Sequence, residues 1–305
     1  MKRLSTYIPS LIISIALVLL TICSMGIIII DINVNAKRTI TLSEKKDIAA
    51  KTVPQLERKF KDLSGASGIP AETYTNALNE EYIQSVINIY INEGYNALKS
   101  GKKLSPEIPE NAEMNKSIDD FFNKAADETG YEKNEDFYKK LENTKENAYK
   151  LISEECDIYK FSALEKHGVL KPASKVYKMR PLLTFASIGG VILLTFFLIF
   201  FNRKEKKTIF YWTGITAIIA GAIGMLPSIY LLSTKYFNAF SIKQPQIFTA
   251  YTGGMFKLTE AFMAASIAVC VAGIAMIVLY AVLINQKTDP EMTEKTPSEP
   301  ESNKK

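Results

Sequence analysis

Four long apolar runs stand out along the chain, at residues 7–30, 181–201, 208–232 and 258–284. A helix rises about 1.5 Å per residue, and roughly 20 apolar residues cross the hydrocarbon core of a bilayer, so each run is long enough to span one. Residues 31–180 read differently: apolar positions recur there every three or four residues among charged ones, and strand-like alternation is nearly absent. The pattern predicts an all-α chain, with four transmembrane helices and an antiparallel helical bundle inserted between the first and second.

Within the insert, Ala49, Val53, Leu56, Phe60 and Leu63 share one helical face. Pro54 predicts that this helix begins or kinks there, and Gly65 and Gly68 end it. Pro70 opens a second helix reaching to about residue 100. Its Tyr74, Leu78, Ile83, Val86, Ile87 and Tyr90 cover too wide an arc for a surface helix, which makes it the central one. Met114, Ile118, Phe121, Phe122 and Ala125 predict a third helix ending at Gly130. Asn134 is a suitable N-cap for the fourth, whose stripe of Phe137, Leu141, Ala148, Leu151 and Ile152 continues to Gly168. Four helices return the chain to the membrane where it left, as in an up-and-down bundle.

The expected division is residues 1–30 for the cytoplasmic N-terminus and first span, 31–180 for an extracellular helical domain, 181–285 for three further spans, and 286–305 for a disordered cytoplasmic tail poor in apolar residues. The orientation comes from charge. Lys2 and Arg3 precede the first span, and Arg203, Lys204, Lys206 and Lys207 crowd the short loop after the second. Such loops stay cytoplasmic. Lys171, Lys175, Lys178 and Arg180 pull the other way, at the outer end of the second span. The first run is longer than a signal-peptide core of about 7–15 residues, so it is expected to remain as an anchor, although Val34-Asn35-Ala36 resembles a cleavage site.

The net charge is +5, and the insert carries 24 Lys and Arg against 25 Asp and Glu, so nothing points to a nucleic-acid partner. Of three cysteines only Cys156 lies in the insert, which excludes a disulfide within it and predicts a buried thiol, with pairing between chains as the alternative. One histidine, His167, makes metal clusters and His-dependent triads untenable. Phosphate loops, nucleophile elbows and paired-cysteine motifs are missing. Glu154, Glu155 and Asp157 cluster in sequence, but helical spacing sends them to different faces. The expectation is a protein without cofactor or metal that is not an enzyme.

In the spans, small residues recur at four-residue spacing: Ala186 with Gly190, Ala217 with Gly221, Ala220 with Gly224, and Ala264 with Ala268 and Ala272. Such ladders let helix backbones approach closely. They predict packing within one bundle, with self-association as the alternative, and they predict that Ala268→Leu overpacks. No ionisable residue falls in the middle of a span. Glu260, with Lys257 one turn before it, sits at the outer edge of the fourth and is read as an interfacial pair, a coupling carboxylate being the alternative. The loop at 233–257 is rich in aromatic residues, with a joint expected at Gly253-Gly254. It is expected to lie on lipid headgroups or against the base of the bundle, or to dock a protein partner.

Ser67-Gly68-Ile69-Pro70-Ala71-Glu72, followed by Asn88-Ile89-Tyr90-Ile91, resembles membrane proteins of Gram-positive bacteria that have a signal anchor, a helical external domain and three closing spans. That resemblance implies a cell-membrane location and no particular activity. Permeases of the cell-division and macrolide-efflux type are similar in span order, but residues 202–207 are too short for the segment by which they meet an ATPase. The expected function is therefore a multi-pass membrane protein that presents its bundle for binding, sensing or envelope organisation. Its partners are the bilayer and a protein met through the bundle or the 233–257 loop. A permease or accessory transport subunit is the alternative.

Overall fold

The computed structural model describes residues 4–285, which are helical apart from turns and irregular connections such as residues 101–111, with no strand among them. The expected tail at 286–305, and Lys2 and Arg3, lie outside the described residues. The chain divides into two compact units: a span unit holding residues up to Ile29, then Leu182–Thr234 and from Thr259 on, and a bundle unit holding Ile30–Pro181 and Lys235–Leu258.

The bundle unit takes in the last turn of α1 (Leu4–Asn33), then α2 (Ala36–Lys45), α3 (Ile48–Ser67), α4 (Glu72–Thr75), α5 (Glu80–Ser100), α6 (Ala112–Thr129), α7 (Glu135–Cys156), α8 (Phe161–Lys166) and the start of α9 (Leu170–Phe201). Four asparagines set the helix starts. Asn35, Asn79, Asn111 and Asn134 each accept a hydrogen bond from the backbone N–H three residues on, at 2.8–3.2 Å. A cap of this kind stabilises a helix by about 1 kcal/mol relative to alanine. Gly68, Gly101 and Gly130 close α3, α5 and α6 in left-handed conformation, where a Cβ would be strained.

Several boundaries differ from the sequence pattern, each for a local reason. The helix expected from Pro70 to about residue 100 is two, because the Asn79 side chain takes the Tyr82 N–H and starts α5 afresh. The helix expected to begin or kink at Pro54 begins six residues earlier, after Asp47 at φ 51°, and carries Pro54 inside it. The fourth helix stops at Cys156 rather than Gly168. Asp157 turns back to accept from the N–H groups of Phe161 and Ser162, both at 2.9 Å, which caps α8. The second span is the end of a 32-residue helix that already runs through Lys171 to Arg180.

α5, expected to be the central helix, packs on α2, α3 and α7, and shares the centre with α3, which packs on α2, α4, α5 and α7. Ile83, Ile87 and Ile91 of α5 lie in one core with Leu56, Phe60, Tyr74, Met114, Ile118, Ile152 and Cys156. Phe60 and Tyr74 stack at 4.7 Å between ring centroids. The core is apolar and continuous, so burial supplies its stability. Arg180 and Lys178 make contacts within the same unit: Arg180 Nη1 donates to the Val34 carbonyl at 2.7 Å and its guanidinium lies 3.6 Å over the Tyr177 ring, while Lys178 Nζ donates to the Ser100 carbonyl at 2.9 Å. Two of the four cations that opposed the expected orientation are thus engaged in folding contacts.

The segment after the third span is also part of this unit. A 3₁₀ turn at Tyr236–Ala239 leads into α11 (Pro245–Asn285), a single helix of 41 residues. Ala250 is buried in the bundle's core, and Tyr251 Oη donates to the Tyr159 carbonyl at 3.1 Å. The joint expected at Gly253-Gly254 is therefore ordinary helix. A glycine costs a helix only about 1 kcal/mol relative to alanine, too little to break one held by packing on either side.

The span unit contains most of α1, the remainder of α9, α10 (Lys206–Ser233) and the remainder of α11. All four helices are long and apolar enough to cross a bilayer, as an integral membrane protein requires. Their outward surface is apolar, with Leu182, Phe185, Ile192 and Leu226 exposed. α10 continues through Pro227 without interruption. At the end of α9, Asn202 is buried and donates to Ser10 Oγ and to the Leu198 carbonyl, both at 2.8 Å.

Candidate functional site

The expected packing ladders are placed unequally. In α10, Gly221 and Gly224 face α11 so closely that a Cβ on Gly221 would come 2.7 Å from the Ser266 carbonyl oxygen. Ala220 is fully buried and Ala217 half-buried. Gly190 meets Leu20 of α1, whereas Ala186 is exposed. In the fourth span Ala264, Ala268 and Ala272 are all exposed rather than packed against α10. The face that meets α10 is formed by Ser266, Cys270 and Gly273, and a Cβ on Gly273 would lie 2.7 Å from the Gly214 carbonyl oxygen. Ser266 stands two residues from Ala264, about 200° round the helix, so the two ladders occupy opposite faces. Glu260 is exposed in the span unit, and Lys257, exposed, belongs to the bundle unit.

Two features of the bundle unit go beyond packing. One is a buried polar node. Glu155, only 5 % exposed, accepts from Gln246 Nε2 at 2.9 Å and Gln244 Nε2 at 3.4 Å, with Lys59 Nζ 3.9 Å away. Gln246 is wholly buried, so the pair fastens the start of α11 to the end of α7 by a charge-assisted hydrogen bond shielded from water. Helical spacing alone did separate Glu154, which is exposed, from Glu155. What it lacked was the partner, 91 residues away; the only sequence signal was two glutamines in an otherwise aromatic segment.

Cys156 beside it is buried, and burial, reinforced by the Glu155 charge, pushes its thiol well above the ordinary range. Such a thiol is inert to modification in the folded chain. Tyr90, buried, shares a hydrogen bond with Ser153, and Tyr149, half-buried, donates to Asn115 Oδ1 at 2.9 Å, so both phenols are partnered, and desolvation raises the pKa of both. His167 ends α8. Among the described residues no three His, Cys, Asp or Glu side chains are grouped to hold a metal ion.

The other feature is an aromatic shelf. Phe237 is buried at its centre, with Tyr236, Phe240 and Phe256 at 5.9, 5.8 and 5.1 Å between centroids. Beside it Phe240, Ser241, Ile242, Lys243, Pro245 and Phe248 line a shallow depression of about 330 Å³. The depression is open to solvent.

The polar node makes a testable statement. Glu155→Leu strands the buried amide of Gln246, which should lower stability by about 1–3 kcal/mol. Gln246→Leu should do the same from the other side. The double variant should lose less than the sum of the two, by at least about 0.5 kcal/mol, as a thermal-unfolding cycle on the detergent-solubilised chain would measure.

Compared with protein-family models, curated proteins and solved structures, the chain matches none.

Proposed function

We propose that this is a non-enzymatic protein of the cell membrane that holds a helical domain on the extracellular side for binding, sensing or organising the envelope. The observation that carries this reading is the division of the chain into two units of opposite surface chemistry. One has apolar helices with outward-facing Phe and Leu; the other has an apolar core of its own beneath a charged exterior. The basic loop around Arg203 to Lys207 supports a cytoplasmic position for that loop, and hence an outward position for the bundle, since a single span separates each from the other side. Cytoplasmic termini follow from the even number of spans.

Close glycine contacts between α10 and α11 support a role for the spans as a packed anchor. The permease alternative needs a polar group that moves with substrate, and Glu260 is the carboxylate placed for it. In the native host, Glu260→Gln should match the wild type in membrane abundance and in complementing the envelope phenotype of a deletion strain. Full abundance with lost complementation would replace the anchor reading by transport.

A further inference from the structure

The segment between the third and fourth spans has a composition unlike the rest of the bundle unit. From Ser233 to Thr259 there are three lysines, Lys235, Lys243 and Lys257, and no aspartate or glutamate, whereas the insert at 31–180 is balanced. Lys235 and Lys243 are exposed, as are Tyr236 (48 %) and Phe240 (37 %). These rings are not loose. Phe237 is buried beneath them, the turn that carries them starts from Lys235 at φ 50°, and Phe256 of α11 backs the cluster edge-on.

Depth follows from chain connectivity. Lys235 comes two residues after the end of α10, and Phe256 two residues before Leu258, where the apolar run of α11 begins. At about 1.5 Å per residue both are within one helical turn of the end of a span. Aromatic rings at that level lie among lipid headgroups, where an apolar face and a polar edge are both accommodated. Lysines there gain about 1 kcal/mol each from an anionic leaflet. An exposed aromatic shelf facing water would carry no such compensation.

We infer that the 235–240 surface is a binding face for anionic phospholipid, with Lys235 holding the phosphate and the Tyr236–Phe240 shelf seated in the headgroup layer. This requires α10 and α11 to cross a bilayer, but it is indifferent to the side on which the loop emerges.

The test uses the full chain with Cys23→Ala, Cys270→Ala and Asn238→Cys, the last carrying an environment-sensitive fluorophore, in nanodiscs of phosphatidylcholine with or without phosphatidylglycerol. Headgroup-level spin-labelled phosphatidylglycerol should quench the fluorophore more than the same label on phosphatidylcholine. Lys235→Gln should lower that preference by up to about 5-fold, the equivalent of about 1 kcal/mol for one lysine, whereas Lys243→Gln, well before Leu258 in the chain, should leave it unchanged. Equal quenching by the two lipids would overturn the anionic preference. Free access of aqueous iodide with no lipid quenching would overturn the membrane contact altogether and leave the shelf to a protein. Quenching of Trp212, the single tryptophan, by deep-labelled lipid reports separately whether α10 spans, so failure of this inference is distinguishable from failure of the membrane reading.

Discussion

Replacing Gly273 by valine should nearly abolish folded protein in the membrane. The added Cβ would stand 2.7 Å from the Gly214 carbonyl oxygen and 2.8 Å from the Ile218 backbone nitrogen. Backbone atoms inside a helix cannot step aside, so α10 and α11 would have to separate along their contact. Overpacking costs about 1–3 kcal/mol where side chains can shift, and a backbone clash falls at or above the top of that range. Close packing is also the principal attraction between helices in lipid, where no hydrophobic effect draws them together. Ala268→Leu, on the outward face of the same helix, should leave abundance within about 0.5 kcal/mol of wild type. Fluorescence-detected size exclusion of tagged chains reads both variants. Equal loss in the two would mean that α11 packs on the wrong face here.

Gly94→Ala should be nearly as damaging in the bundle. A Cβ at Gly94 would fall 2.2 Å from Phe161 Cδ2. The Phe161 ring is buried and flanked by Tyr95 and Tyr159 at 6.0 and 6.2 Å between centroids, so it has little room to retreat. The expected loss is about 1–3 kcal/mol, and each kcal/mol should lower Tm by about 2–4 °C for a unit of this size. With Cys23→Ala and Cys270→Ala in the background, Cys156 supplies the readout: buried and inert when folded, it becomes available to a thiol-reactive dye on unfolding. An unchanged melting curve would mean that α5 and α8 do not meet at this glycine.

Much of the architecture was legible in the sequence because local signals carried it. Uninterrupted apolar length marked the spans, and the three-and-four spacing of Ile83, Val86, Ile87, Tyr90 and Ile91 marked the buried face of α5. Asn134 announced α7 through its own side chain. Where the structure departs, a distant partner decides. The spans are apolar on every side, so periodicity cannot say which ladder of α11 is inside; Gly214, Gly221 and Gly224 on α10 select Ser266, Cys270 and Gly273 over the alanines. Residues 245–257 looked like a loop because two glycines and scattered aromatics hide their period, and they are helical because Gln246 and Ala250 are held by the bundle. Glu155 carried no sign of burial at all, since its reason lies across the fold.

The central claim is that the bundle stands outside the cell while the chain's termini stay inside. A membrane-impermeant maleimide applied to intact cells tests it on single-cysteine variants. Ser100→Cys, exposed at the end of α5, should label fully, and Ser298→Cys should label only after the membrane is permeabilised. Labelling of Ser298→Cys in intact cells with protection of Ser100→Cys would contradict the account, and would mean that Lys171 to Arg180 govern insertion over Arg203 to Lys207.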